Sequence, residues 1–164
     1  MESHRSMEFG TTESFWGDGR AVALTEEHIE HSMRCMMAFA PLPDAEAEPI
    51  FRPYLDGLAL IAKSDVFYSF DELARRAFVS SLAGALRRYG GWSGNQADFE
   101  ASFHEAFAPF MPDREHRDQM FRALILSGDA RETALNNLRS AKQLTDLYLV
   151  HLSHRLWRDI LKHG

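Results

Sequence analysis

The chain has 164 residues, of which 45% are hydrophobic and 26% charged, and its formal net charge is −6. This length and composition are typical of one folded domain and exclude a wholly disordered chain. The single cysteine, Cys35, excludes a disulfide framework and a zinc site made of several thiolates. A nucleic-acid partner is disfavoured by the acidic balance, because nucleic-acid binders usually carry a basic excess.

Residues 1–24 have no regular periodicity and contain scattered glycine, serine and threonine, which predicts a flexible acidic N-terminal tail. Residues 25–164 are then the folded domain. No apolar run approaches the ~18 residues that span a bilayer. The N-terminus also lacks the charged-then-apolar pattern of a signal peptide. Together these observations predict a cytoplasmic protein with no membrane partner.

Helical periodicity begins after Thr25, a residue suited to cap a helix N-terminus. The apolar positions of this first helix predict its inward face: Ile29, Met33, Met36 and Met37. Pro41 and Pro43 predict its end. The segment Asp44 to Pro49 predicts an acidic loop, followed by a second helix with Pro53 near its start.

The next three helices carry boundary signals. Ser69 and Glu72 have the spacing of a capping box, and Gly90–Gly91 predicts the end of the helix that they begin. Asn95 and Asp113 predict the starts of two further helices, the second ending at about Gly128. Their inward positions are predicted to be Phe99, Phe103, Phe107 and Phe110 in the first, and Met120, Phe121, Leu124 and Ile125 in the second.

The longest periodic segment opens with Asp129 and Glu132 and runs to about His163, which is ~50 Å at ~1.5 Å per residue. Its apolar seam comprises Leu135, Leu138, Ala141, Thr145, Leu149, Leu152, Leu156 and Ile160. Because such a helix is longer than a small bundle is wide, its projecting end predicts self-association into a homodimer. The sequence as a whole predicts an all-α, single-domain bundle of five or six helices with a long C-terminal helix.

A first functional candidate is a metal site in the first helix. Glu27, His31 and Cys35 are spaced four residues apart, so they share one helical face and offer oxygen, nitrogen and sulfur ligands. Two nearby methionines would suit a soft metal or haem. The alternative is structural: exposed histidines and a small buried cysteine need no ligand. We therefore predict no cofactor, and keep His31 and Cys35 as the candidates for a metal or haem site.

A second candidate is a helix-turn-helix over residues 70–89, with Arg87 and Arg88 at the end of its reading helix. The turn of that motif often contains glycine, whereas bulky Phe78 stands at the corresponding place. The alternative is one amphipathic helix with solvated arginines.

A third candidate is a basic strip near the end of the last helix. Its members recur at spacings of three and four residues: His151, His154, Arg155, Arg158 and Lys162. Cations near a helix C-terminus are stabilised by the macrodipole, which explains the strip without any function. The functional interpretation adds an anionic partner, foremost another protein with an acidic surface. The two histidines would make that binding stronger as the pH falls through ~6.5.

The sequence contains no nucleophile elbow, phosphate-cradling loop, dinucleotide fingerprint or Cys-x-x-Cys motif. It also contains no Glu-x-x-His, the motif that a di-iron bundle requires. The prediction is therefore a non-catalytic cytoplasmic protein that binds another macromolecule as adaptor, regulator or accessory subunit. The two alternatives are a metal or haem sensor through His31 and Cys35, and a DNA-binding regulator through residues 70–89.

Overall fold

The computed structural model describes residues 26–64, 69–126 and 131–163, and these ranges form six α-helices without a strand. The helices are α1 (Glu26–Phe39), α2 (Asp44–Lys63), α3 (Asp71–Tyr89), α4 (Phe99–Phe107), α5 (Arg114–Ile125) and α6 (Arg131–His163). A short 3-10 turn, Gln96–Asp98, leads into α4. The all-α prediction and the long C-terminal helix are confirmed. The N-terminal tail and the predicted signals at Gly128 and Asp129 lie outside the described residues.

Helix α3 is the centre of the bundle. It packs against α2 and α6, while α1 and α5 each pack on α6, and α4 packs on α5 and α3. The core is formed by large apolar side chains from five of the helices; those with no exposed surface include Ile50, Phe78, Leu82, Leu86, Phe103, Phe107, Leu124, Leu138 and Leu144. The predicted aromatic stripe is confirmed at Phe99, Phe103 and Phe107, whereas Phe110 lies beyond the end of α4 and is half-buried.

The apolar seam of α6 is buried from Leu138 to Leu152 and becomes exposed toward Ile160. At its middle, the buried Thr145 hydroxyl lies 2.8 Å from the Ala141 carbonyl oxygen and 3.1 Å from that of Phe78 in α3. Ala141 and Thr145, the small residues in the middle of the seam, thus lie where α6 approaches the backbone of α3. At the other end of α6, Leu161 is 67% exposed, as expected for a helix that extends past its neighbours.

Helix α2 corrects the predicted loop at Asp44 to Pro49, because the helix begins at Asp44 and contains both Pro49 and Pro53. Pro43 precedes it, and the Pro43 carbonyl accepts the first backbone hydrogen bonds, from Glu46 and Ala47. Pro53 has no N–H to donate to the Pro49 carbonyl four residues earlier. Two prolines in sequence therefore indicated a loop, whereas packing against α3 stabilises a helix.

The contact between α2 and α3 explains that stabilisation. A side chain at Gly84 would place its Cβ 2.5 Å from the Pro49 carbonyl oxygen, so glycine permits the two backbones to approach. The buried Ser81 hydroxyl donates to the Ile50 carbonyl at 2.7 Å. Tertiary partners at Gly84 and Ser81 thus surround the stretch of α2 that proline weakens.

The predicted capping box at Ser69 and Glu72 is also wrong. Phe70 is the N-terminal flanking residue of α3 and makes no side-chain cap, while the Ser69 hydroxyl accepts only from the Asp71 backbone N–H, at 3.3 Å. Glu72 instead accepts hydrogen bonds from Arg75 and Arg76. The carboxylate is drawn into an ion pair because the buried Arg75 guanidinium needs a partner.

Helix α1 faces the opposite way from the prediction. Its large apolar side chains, Ile29, Met33, Met36 and Met37, are between 51% and 73% exposed. Cys35 and Ala38 lie on the less exposed side of the helix, and Ala38 is buried. A smaller misassignment of the same kind occurs in α5, where Ile125 is 49% exposed while Phe121 and Leu124 are buried.

Within the described ranges, none of the helices combines the length and the hydropathy needed to cross a membrane.

Candidate functional site: the cleft between α1 and α6

Helices α1 and α6 run antiparallel where they meet. His31 contacts His154, and one turn later Cys35 contacts Ser153, so increasing numbers in α1 pair with decreasing numbers in α6.

Three metal-binding side chains converge in this cleft: His31 and Cys35 from α1, and His154 from α6. One ligand atom from each lies within 4.8 Å of the other two. The Cys35 sulfur is 3.7 Å from Nε2 of His31, and the two imidazole rings meet edge to face at 5.4 Å. No other such group of three occurs among the described residues, and Glu27 is not part of it. The predicted pair from α1 thus gains a third member from the basic strip.

Ser153 of α6 contacts Cys35 of α1. Its buried hydroxyl lies 3.2 Å from the Cys35 sulfur and 2.7 Å from the Val150 carbonyl oxygen. The sulfur is partly buried whereas both histidines are exposed. A hydrogen-bonded sulfur at the base and two accessible imidazoles at the rim leave room for an ion to enter from solvent.

The ligand chemistry of the cluster fits a thiophilic divalent cation. Zinc binds thiolate sulfur at ~2.3 Å and imidazole nitrogen at ~2.0–2.1 Å, with four ligands arranged tetrahedrally. The three candidate ligand atoms lie within 4.8 Å of one another. Three protein ligands leave one tetrahedral position open, and water or an added molecule would occupy it.

The basic strip is divided between two environments. His151 is half-buried, and its ring lies 4.8 Å from that of Phe110. Burial, followed by the positive charges of Arg155, Arg158 and His154, lowers the pKa of His151. On the other side, the Arg155 guanidinium donates to the Tyr89 carbonyl at 3.4 Å. Arg158 and Lys162 lie on the exposed end of the helix.

A cleft of about 460 Å³ brings together the predicted metal pair and part of the predicted basic strip. Its lining residues are basic or polar apart from Trp157, although most of the surface that they expose to it is apolar; they are His31, Arg34, Cys35, His151, Ser153, His154, Trp157 and Arg158. No carboxylate is among them. Arg155 and Lys162 of the basic strip do not line the cleft, so the two predicted sites meet there only in part.

An apolar groove of about 640 Å³ adjoins the cleft, and Cys35 lines both. The groove is formed by Cys35, Met36, Phe39, Ala40, Ala47, Phe51, Tyr54, Asp146, Leu149 and Val150. At one end, the Tyr54 hydroxyl donates to Asp146 at 2.7 Å, and Lys142 donates to the same carboxylate at 2.6 Å. Burial, together with the Asp146 charge, raises the pKa of Tyr54, so its hydroxyl keeps the proton that it donates.

The helix-turn-helix interpretation of residues 70–89 is wrong in its geometry. Helix α3 is continuous from Asp71 to Tyr89, and Phe78, at the position of the supposed turn, is fully buried. Arg75 is also buried and donates to the Leu124 carbonyl oxygen. The alternative interpretation, a single amphipathic helix, agrees with the structure, except that Arg75 is buried and only Arg76, Arg87 and Arg88 of its arginines are exposed.

Sequence reasoning missed the groove and the role of His154 in the cluster. Cys35 and Ser153 are 118 positions apart in the sequence. No periodicity in either helix indicates that the two residues meet. Comparisons with protein-family profiles, with curated proteins and with solved structures gave no match to this chain.

Proposed function

We propose that this chain is a non-catalytic binding protein whose α1–α6 cleft takes up a thiophilic divalent metal ion. The observation that carries the proposal is the convergence of His31, Cys35 and His154, with their ligand atoms within 4.8 Å of one another. Two of these residues come from α1 and one from the far end of α6. An ion held by all three would join the two helices.

The consequence of such a bridge follows from how α1 is attached. Helix α1 packs chiefly on α6, and its large apolar side chains face solvent. Few buried contacts hold it, so a bound ion adds a large share of the free energy that keeps α1 in place. Metal occupancy would then decide whether the exposed methionine face of α1 is presented in a fixed position, which is a regulatory function.

Zinc is the ion that the ligand set favours, because one thiolate and two imidazoles match its preference for sulfur and nitrogen. The thiolate must be reduced to bind, which suits a compartment where thiols stay reduced. A cytoplasmic location, as the sequence analysis expected, belongs to this proposal.

The test uses tag-free, EDTA-treated protein titrated with Zn²⁺ by calorimetry and, in parallel, with Co²⁺ by absorption spectroscopy. We expect one ion per chain, a rise in the melting temperature, and a thiolate-to-cobalt absorption band. Cys35→Ser should abolish the band, and His154→Gln should weaken binding by about ten-fold or more. His116→Gln is the matched control, since His116 is an exposed histidine of α5.

Unchanged affinity in both Cys35→Ser and His154→Gln would overturn the proposal. A Soret band in protein purified from its own host would replace the metal ion by haem, with Cys35 as the candidate ligand beside the apolar groove. That result would overturn the assignment to zinc.

A second candidate function is capture of an acidic protein surface. It is favoured by the exposed side chains near the end of α6, which are Arg155, Arg158, Leu161 and Lys162. An uncovered cationic end with apolar side chains beside it complements an acidic partner. Self-association through α6 stays a prediction.

The probe for this candidate is poly-glutamate, with a single-stranded RNA homopolymer of equal charge for comparison. We expect poly-glutamate to bind with an affinity that falls as salt rises. Replacing Arg158 and Lys162 together by glutamate should remove that binding while the circular dichroism spectrum stays unchanged. Stronger binding of RNA, or no effect of the charge reversal, would contradict this candidate.

A further inference from the structure

The cleft is lined by arginine and histidine side chains and the groove mainly by apolar ones, and the two cavities share a wall at Cys35. We propose that together they bind a single-chain amphiphile with an anionic head group, such as a free alkyl carboxylate. The head would lie in the cleft and the alkyl chain in the groove. The inference does not rest on a bound metal ion, and its test removes metal.

The cleft suits an anionic head because two arginines line it and no carboxylate does. Arg34 and Arg158 stand on its two sides, one from each helix, with His31, His151 and His154 between them. Arg34 is already paired with Glu30. The Arg158 Nε donates to the His154 carbonyl at 3.3 Å, which leaves its terminal nitrogens available for a second acceptor. An oxyanion in the cleft would therefore find charge-assisted donors.

The groove suits an alkyl chain because its walls are apolar side chains that the fold leaves uncovered. Phe39 and Phe51 meet edge to face at 4.9 Å and form its floor with Leu149, which is almost fully buried. Met36 and Val150 stand at the rim and are exposed. At about 640 Å³ the groove falls within the size range of small-molecule sites. Each methylene that the groove buries favours binding, because it removes apolar surface from water.

The charges at the far end of the groove and in the cleft determine the orientation in which the amphiphile binds. Asp146 bounds the end of the groove away from the cleft, and its carboxylate already accepts from Tyr54 and Lys142. That end therefore offers no free cation to a second carboxylate. Arg158 at the cleft is the attractive end, so head and chain can occupy the two cavities in one orientation.

The test is calorimetric titration of the full chain with dodecanoate, below its micelle concentration and in the presence of EDTA. Two comparison ligands separate the contributions. Dodecyltrimethylammonium has the same chain with a cationic head, and butyrate has the same head with a short chain. We expect dodecanoate to bind at one site per chain and each comparison ligand to bind at least about ten-fold more weakly.

Two exposed positions then locate the site. Arg158→Gln should weaken dodecanoate by about three-fold or more through loss of a head-group donor. Val150→Glu should weaken it by about ten-fold or more, because a charge at the rim opposes burial of the chain. Arg114→Gln, on the exposed start of α5, is the matched control and should bind as the wild type does.

Equal binding of the cationic and anionic amphiphiles would overturn the proposal, because the head group would then make no specific contact. Unchanged binding in Val150→Glu would overturn it as well. If the full chain binds zinc but does not bind dodecanoate, the amphiphile proposal is wrong and the proposed metal-binding function stands. The two proposals can therefore fail separately.

Discussion

The two faces of α6 are built in different ways. Toward α3, its side chains are fully buried, and the hydroxyl of Thr145 lies within hydrogen-bond distance of the Phe78 carbonyl oxygen. Toward α1, it presents histidine, serine and arginine around an open cleft. The first face gains stability from excluded water and close packing. The second gains little, and instead leaves chemically active side chains accessible. One helix thus serves the core and the candidate site.

The largest expected effect comes from the α3–α6 face. Phe78→Ala removes a fully buried ring beneath α2 and α6, and should lower the free energy of unfolding by about 3–5 kcal/mol. Urea denaturation measures this free energy. In α1, on the cleft side of α6, Met36→Ala should change the free energy of unfolding by less than about 0.5 kcal/mol, because the Met36 side chain is exposed. Similar decreases in the free energy of unfolding for Phe78→Ala and Met36→Ala would contradict the distinction between the α3 and α1 faces of α6.

The next effect concerns the approach of α2 to α3. Alanine ordinarily stabilises an exposed helical position relative to glycine by about 1 kcal/mol. Gly84→Ala should instead destabilise the protein by about 1–3 kcal/mol, because its Cβ would lie 2.5 Å from a backbone oxygen that cannot rotate away. Thermal denaturation measures the sign. Ser80→Ala, at an exposed position of the same helix, is the control and should be neutral or slightly stabilising.

A pH-dependent effect comes from Glu72. Hydrogen bonds from Arg75, then from Arg76, hold the pKa of Glu72 at about 2, below its ordinary value of 4.5. A lowered pKa in the folded state means that the ion pair stabilises the fold fully above pH ~4.5 and progressively less as the pH falls toward 2. Glu72→Gln should therefore cost about 1–2 kcal/mol at pH 7.

Denaturation curves of wild type and Glu72→Gln at several pH values measure this difference, which should shrink as the solution is acidified. Glu48→Gln is the control, since Glu48 lies 3.9 Å from Arg52 with both side chains exposed. A gap between wild type and Glu72→Gln that stays constant from pH 7 to pH 3 would show that the carboxylate charge is not what stabilises the buried arginine.

The smallest effect is expected on the exposed side of α1. Glu30 and Arg34 form an ion pair, and both side chains are about 60% exposed. Solvent screens such pairs, so Glu30→Gln should change the free energy of unfolding by no more than about 0.5 kcal/mol. A larger loss, measured by urea denaturation, would show that α1 is held by surface charges rather than by its contact with α6.

Local patterns predicted all six helices, but two of their details were wrong, and these errors are informative. The start of α2 was missed because two prolines in one segment ordinarily exclude a helix, and only Gly84 and Ser81 in another helix compensate for them. The orientation of α1 was also wrong. Its methionines have the periodicity of a buried face, but the surface available on α6 accommodates the side with Cys35 and Ala38.

The sequence by itself determined that the chain is helical, that α6 is long, and that His31 and Cys35 share one face, because these properties depend on residues a few positions apart. Only the tertiary structure decided that His154 joins them and that an apolar groove lies alongside. The physical reason is that a pattern within a helix states which residues share a face. Which other helix that face meets depends on how all six exclude water together.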